Sequence, residues 1–285
     1  MADGSKTSTD PQSQEWPTSG PIGRFGQRGL ILTFSLSGLL SFFNPFLLVQ
    51  IVAQSIGNTN LRIRSYDTKD SAIPYVNKVE YALPFSGEWF VYNGGTTPDD
   101  SHSWDTLTQR YAYDFVIVDD QLRRHVSTGT DLEDYYCYGK EILAVADGKV
   151  VKVVDEIRAA PFVGYGIVDF MTRNFIGNHI IIQHAESEYA LYAHLIKGAI
   201  VVKIGDPVKQ GQVIGRCGHS GHSSEPHLHF HLQDRMNFYL ALGLPIRFSN
   251  IIVNGKTAEG TNIRAGHHVQ NPATYHHSLC EHSHG

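Results

Sequence analysis

Only three cysteines occur in the 285 residues, at positions 137, 217 and 280, and no two are spaced C-x-x-C. A zinc knuckle and a thioredoxin-type redox centre are thereby excluded. The odd count leaves at least one thiol free in a monomer, although Cys137 and Cys217 could pair outside the cytoplasm. Methionine is equally scarce, with three copies and no Met-Lys-Met. The stretch GDPVKQGQVIG at 205–215 suggests a biotinyl- or lipoyl-type carrier, but the Met-Lys-Met in which such a carrier commonly holds its modifiable lysine is missing. No basic stripe interrupts a chain of net charge -5, which argues against nucleic acid as a partner. Beyond Lys78 no amphipathic helix of twelve or more residues is written. Charge itself is absent from the segment between Arg28 and Arg62.

That uncharged segment organises the N-terminal part. Residues 1–28 are rich in Ser, Thr, Gly, Pro, Gln and Asp and read as a disordered lead. Residues 29–57 form a hydrophobic segment whose core, Leu30 to Ala53, is long enough to cross a bilayer as a helix. Arg24 and Arg28 precede it, which places the N-terminus inside and the remainder of the chain outside. Asn44-Pro45 breaks the run, and Ser35, Ser37, Ser41 and Gln50 dilute it. The competing expectation is a helical hairpin, broken at Asn44-Pro45, that packs on the domain or lies in the membrane interface. Residues 58–77 read as a linker.

From residue 78 to 255 short runs of Val, Ile, Tyr and Phe alternate with Gly, Asp and Asn turns, as at 110–120, 141–156, 177–195 and 227–234. Such runs are strands, and the expected domain is mostly β, an antiparallel sandwich or open barrel. Residues 256–285 read as a His-rich tail that adds a strand or two and then frays; of the 16 histidines, His267, His268, His276, His277, His282 and His284 fall there.

Three stretches carry chemistry. In His227-Leu228-His229-Phe230-His231 the period of a strand places the three imidazoles on one face and Leu228 and Phe230 on the other. A row of imidazoles has no purpose in a hydrophobic core; it suits a metal, or a ligand beside an acid/base group. In Tyr192-Ala193-His194-Leu195 the same period puts Tyr192 and His194 on one face. In Tyr113-Asp114-Phe115 a lone carboxylate interrupts an apolar run, and a buried carboxylate needs a cation or a donor. His-x-His also occurs in cupin-like oxygenases, a reading that iron or manganese would favour.

Taken in order, Asp114-Phe115, the Tyr-Ala-His-Leu of 192–195 and the stretch 218–230 ending in His-Leu-His-Phe resemble the lysostaphin-type (LytM-like) zinc endopeptidases of bacterial peptidoglycan. The resemblance covers residues 81–235. It implies a duplicated-hybrid-motif-like β fold, a zinc cofactor, and hydrolysis of stem or cross-bridge peptides in the cell wall. It also implies Asp114 and His229 as ligands and His194 and His227 as the catalytic pair. The family usually sets its first ligand four residues before the Asp, where this chain has Arg110, and a guanidinium cannot ligate zinc. His102 is the expected replacement, with His179 and His184 as lesser candidates. Arg110 also raises the alternative of a degenerate module of the same fold that binds peptidoglycan or activates a hydrolase. The implied location is the cell envelope, single-pass anchored, with the domain extracytoplasmic.

Overall fold

The structure, a computed structural model, describes residues 20–64 and 73–272. Most of the expected lead, residues 65–72 of the linker, and Cys280 with the last four tail histidines lie outside those residues.

The uncharged segment forms two helices, α1 (Gly26–Leu40) and α2 (Pro45–Ile63), joined by one 3-10 turn at Ser41–Phe43. The two helices meet at a bend of 99°, and no single helix among the described residues is long and apolar enough to cross a membrane. The sequence explains the break. Asn44 is an N-cap whose side chain accepts from the Phe46 amide, and Pro45 occupies the first helical position, where its missing N–H costs nothing. A second helix therefore starts at the dipeptide, and it runs to Ile63, six residues beyond the expected boundary.

The remainder is mostly antiparallel β. The strands are β1 (Trp89–Asn93), β2 (Tyr113–Val116), β3 (Glu141–Leu143), β4 (Gly148–Val154), β5 (Asn178–Ala185), β6 (Glu188–Leu195), β7 (Pro207–Val208), β8 (Val213–Arg216), β9 (Leu228–Gln233), β10 (Gly243–Leu244), β11 (Ile251–Val253), β12 (Lys256–Ala258) and β13 (His268–Gln270). Eleven form one sheet in the order β12-β11-β13-β1-β2-β9-β6-β5-β4-β7, with β10 also paired to β9; β3 and β8 form a second, two-stranded sheet. The sheet thus continues past residue 255: β12 and β13 belong to it, and Trp89 pairs with Val269.

The central strands β2, β9 and β6 alternate cleanly. Tyr113, Phe115, Tyr192, Leu228, Phe230 and Leu232 enter the main core with Ile180 and Ile182 of β5. The opposite face of the same strands carries Leu191, Ala193 and Ile181, covered by Phe238. Asp114 lies directly across from His229, and His229 directly across from Ala193. Burial of the apolar residues on one face thereby fixes the register that brings the carboxylate to the imidazole on the other.

Candidate metal and catalytic site

Asp114 is the centre of the site. Its Oδ1 lies 3.0 Å from His229 Nδ1 and 3.6 Å from His227 Nε2. Its Oδ2 lies 3.5 Å from His102 Nε2 and accepts a 3.0 Å hydrogen bond from Asn93 Nδ2. Burial pushes the carboxyl up, but the imidazoles of His102, His227 and His229 outweigh burial and hold it well below the usual carboxylate range.

His102 reaches Asp114 because its loop folds back on itself. Ser101 Oγ donates to the Arg110 carbonyl and Ser103 Oγ to the Gln109 carbonyl. Arg110 is buried, donates through Nε to the Trp104 carbonyl, and stacks its guanidinium 4.6 Å from the Trp104 ring centre. The arginine that stands where a ligand was expected thus braces the loop that delivers His102.

The orientation of His229 follows from a chain of alternating residues along β9. Gln233 Nε2 donates to the Arg235 and Met236 carbonyls, which can only accept. That fixes Gln233 Oε1 as an acceptor, so His231 Nε2, 2.9 Å away, carries a proton. Burial of His231 lowers its pKa to about 3, so it is neutral and its Nδ1 is a lone pair. His229 Nε2, 3.2 Å from that atom, must then be the donor. His229 Nδ1 faces Asp114 Oδ1 at hydrogen-bond distance: a protonated ring donates to the carboxylate there, and a neutral ring presents a lone pair to a cation shared with it.

The two other imidazoles are held in one common way. His194 Nδ1 donates to the Ser220 carbonyl at 2.8 Å, and His227 Nδ1 donates to the Glu225 carbonyl at 2.8 Å. Both Nε2 atoms are thereby left as the free nitrogens, and the two rings lie 4.8 Å apart. Glu225 is itself fixed by an ion pair with the buried Arg124, N–O 2.7 Å. Burial and the neighbouring His227 and His229 push His194 well below the ordinary imidazole range, which keeps it neutral.

His194 corrects the expected pairing with Tyr192. Tyr192 points into the core, where its hydroxyl accepts from the Val145 amide, and does not line the site. A bulge separates the two residues: Ile180 pairs with Tyr192 but Asn178 with Leu195, so β6 holds one residue more than β5 across this interval. His194 sits at φ 61°, a left-handed conformation rare for a non-glycine residue. The kink sends Leu195 to the core and His194 to the site face. Strain of this kind, about 1–3 kcal/mol, collects at functional positions.

His102, Asp114 and His229 form the one group among the described residues whose ligand atoms all lie within 4.8 Å of one another. Donors on a tetrahedral zinc stand roughly 3.4 Å apart at ordinary bond lengths, and the 3.0 and 3.5 Å separations here match that spacing. With the His229 ring neutral, the set fits a divalent cation. His179 and His184 stay outside it, with Nδ1 on the Gly177 and Asp147 carbonyls respectively. Cys137 and Cys217 are free and buried. Asn93, Arg124, Glu225 and Gln233 also belong to the site and were not found from the sequence; of these only Gln233, in step with His229 and His231 along the strand, offered a signal.

Residues 125–239 match the sequence profile of Peptidase family M23. Peptidoglycan DD-endopeptidase ShyA of Vibrio cholerae is 45% identical over 71 residues, covering 24% of this chain and 16% of the relative. An uncharacterized metalloprotease of Haemophilus influenzae is 31% identical over 130 residues, covering 43% of this chain and 24% of the relative. Glycyl-glycine endopeptidase ALE-1 of Staphylococcus capitis is 37% identical over 93 residues, covering 32% and 21%. The chain thus spans less than a quarter of the length of these relatives. The matched residues contain His194, His227 and His229 on the β frame just described, so this part of the chain is similar to the domain of peptidase family M23.

Proposed function

We propose that the chain is a zinc-dependent endopeptidase that hydrolyses peptide bonds in the stem or cross-bridge peptides of cell-wall peptidoglycan, in the cell envelope on the outer side of the membrane. The observation that carries this reading is the convergence of five side chains from four separate parts of the sequence. Three of them make a ligand set, and two are imidazoles each held at Nδ1 by a backbone carbonyl.

In this reading His102, Asp114 and His229 hold the metal, which supplies Lewis-acid polarisation and a bound water acidified toward neutral pH. His194 and His227 handle the proton. Each is held at Nδ1–H by a carbonyl, so Nε2 is its working atom. One, as the free base, takes the proton of the attacking water and returns it to the leaving amine; the other, entering the reaction with a proton taken up from solvent, donates a hydrogen bond to the oxyanion and keeps that proton. Both being held by backbone carbonyls, neither has to reorient during the reaction. Arg110 supports the ligand loop, which favours the catalytic reading over a degenerate module.

The test is digestion of purified sacculi with the full chain, followed by mass spectrometry of the released fragments. New free amines within stem or bridge peptides, absent with His194→Ala, support the reading. Intact peptides at stoichiometric zinc contradict it.

A further inference from the structure

The two N-terminal helices divide their side chains between two environments. Ser37 Oγ accepts from the Val168 amide. Asn44 Nδ2 donates to the Phe170 and Thr172 carbonyls. Gln50 binds the Arg173 carbonyl, the Phe175 amide and the Tyr239 hydroxyl. Gln54 donates to Thr108, and Asn58 bridges the Asp105 carbonyl and the Leu107 amide. Gly57 lies so close to the Tyr239 carbonyl that any side chain would collide with it. The hydroxyls of Thr33, Ser55 and Thr59 turn back onto carbonyls of their own helix. The polar residues that dilute this segment are thus used against the β domain or hidden along the helix.

The outward face is apolar. Leu32, Leu36, Leu39, Phe43, Val49 and Val52 are all exposed, Phe43 at 85%. The segment is also charged in one sense: from Gly20 to Arg64 there is no Asp or Glu, while Arg24, Arg28, Arg62 and Arg64 stand exposed at its two ends. This occurs in a chain of net charge -5. An apolar face flanked by cations complements an anionic bilayer surface. At 15 and 19 residues the helices are about 22 and 28 Å long. The 99° bend and the contacts above lay both along the domain rather than away from it.

We infer that α1 and α2 are an in-plane anchor seated on a membrane rich in anionic lipid. The anchor rests on this face alone and holds whether or not the proposed hydrolysis does. Its place gives it a further consequence. It grips the loop of His102 through Asp105, Leu107 and Thr108, and Ser41 meets His222, two residues from the Ser220 carbonyl that fixes His194. A cleft of about 260 Å³ between the domain and α1 is lined by Leu30, Ile31, Phe34, Tyr92, Asn93 and Glu225, and Asn93 donates to Asp114. The anchor is therefore one wall of this cleft, which adjoins the site through Asn93 and Glu225.

The test is flotation of the full chain with vesicles of phosphatidylcholine containing 30% phosphatidylglycerol, against phosphatidylcholine alone. The expected result is roughly tenfold more chain floating with the anionic vesicles, and release by alkaline carbonate. Replacing Leu36, Leu39, Phe43 and Val49 by Gln abolishes flotation while melting temperature and zinc content stay unchanged, since all four are exposed. Replacing the four arginines by Gln removes the preference for anionic lipid and leaves the fold intact. The inference is overturned if the chain stays unbound to both vesicles, if carbonate fails to release it, or if the four-Gln variant instead converts a stable dimer to monomer.

Discussion

His229 Nδ1 and Asp114 Oδ1 face each other at 3.0 Å across a pair of antiparallel strands. The β9 chain through His231 and Gln233 imposes that orientation from a distance. In metal sites the partner that fixes a ligand's tautomer commonly affects metal affinity by about 10- to 100-fold. His231→Leu is expected to weaken zinc binding by about that factor, read by chelator competition. His231→Asn, which keeps an acceptor near the former Nδ1, is expected to restore most of the loss. Equal affinity in both variants would show that the chain along β9 does not set the ligand.

Arg110 should matter through the loop rather than through the metal. Arg110→Ala removes a buried hydrogen bond and a cation–π contact with Trp104. The expected cost is about 1–3 kcal/mol. Zinc affinity should fall with stability, and Arg110→His, despite supplying a potential ligand, should not raise it. A tighter zinc site in that variant would mean that position 110 already faces the metal.

His194→Ala and His227→Ala separate proton handling from metal binding. Each is expected to lose about 10² to 10⁴ in kcat and to retain one zinc per chain. Full activity in either variant, measured on released wall peptides, would remove that imidazole from the proposed chemistry.

Acid should destabilise the metal-free protein well above the carboxylate range. Burial lowers His179 and His222 to about 4 and His219 and His231 to about 3, against 6.5 for a free imidazole. Below pH 6.5 the unfolded chain takes up protons that the folded chain refuses, so stability falls as pH drops from 6.5 toward 4. The melting temperature of the EDTA-treated domain should fall by at least about 4 °C between pH 7 and pH 5. A flat profile would show these rings to be solvated.

The strands and the principal site residues were legible because a half-buried strand writes its two faces into the sequence. Leu228, Phe230 and Leu232 declare the core, and the histidines between them must then lie opposite. His194 was read on the face of Tyr192 and lies on the other, because a one-residue bulge leaves no mark in a period-two pattern. Arg110 was legible as a departure and illegible as a brace, since its partner Trp104 is brought to it by a loop whose course depends on Ser101 and Ser103. The apolar run from Leu30 to Ala53 looked like one span. Asn44-Pro45 starts a second helix instead, and Ser37, Ser41, Asn44 and Gln50 have partners on the β domain that only the folded chain supplies.

The most direct test of the metal centre is anomalous diffraction at the zinc edge from crystals of the full chain. One zinc bound by nitrogens of His102 and His229 and an oxygen of Asp114, at about 2.0–2.2 Å, is the predicted result. Zinc held elsewhere, or a site at Asp114 that binds none at saturating concentration, would contradict it.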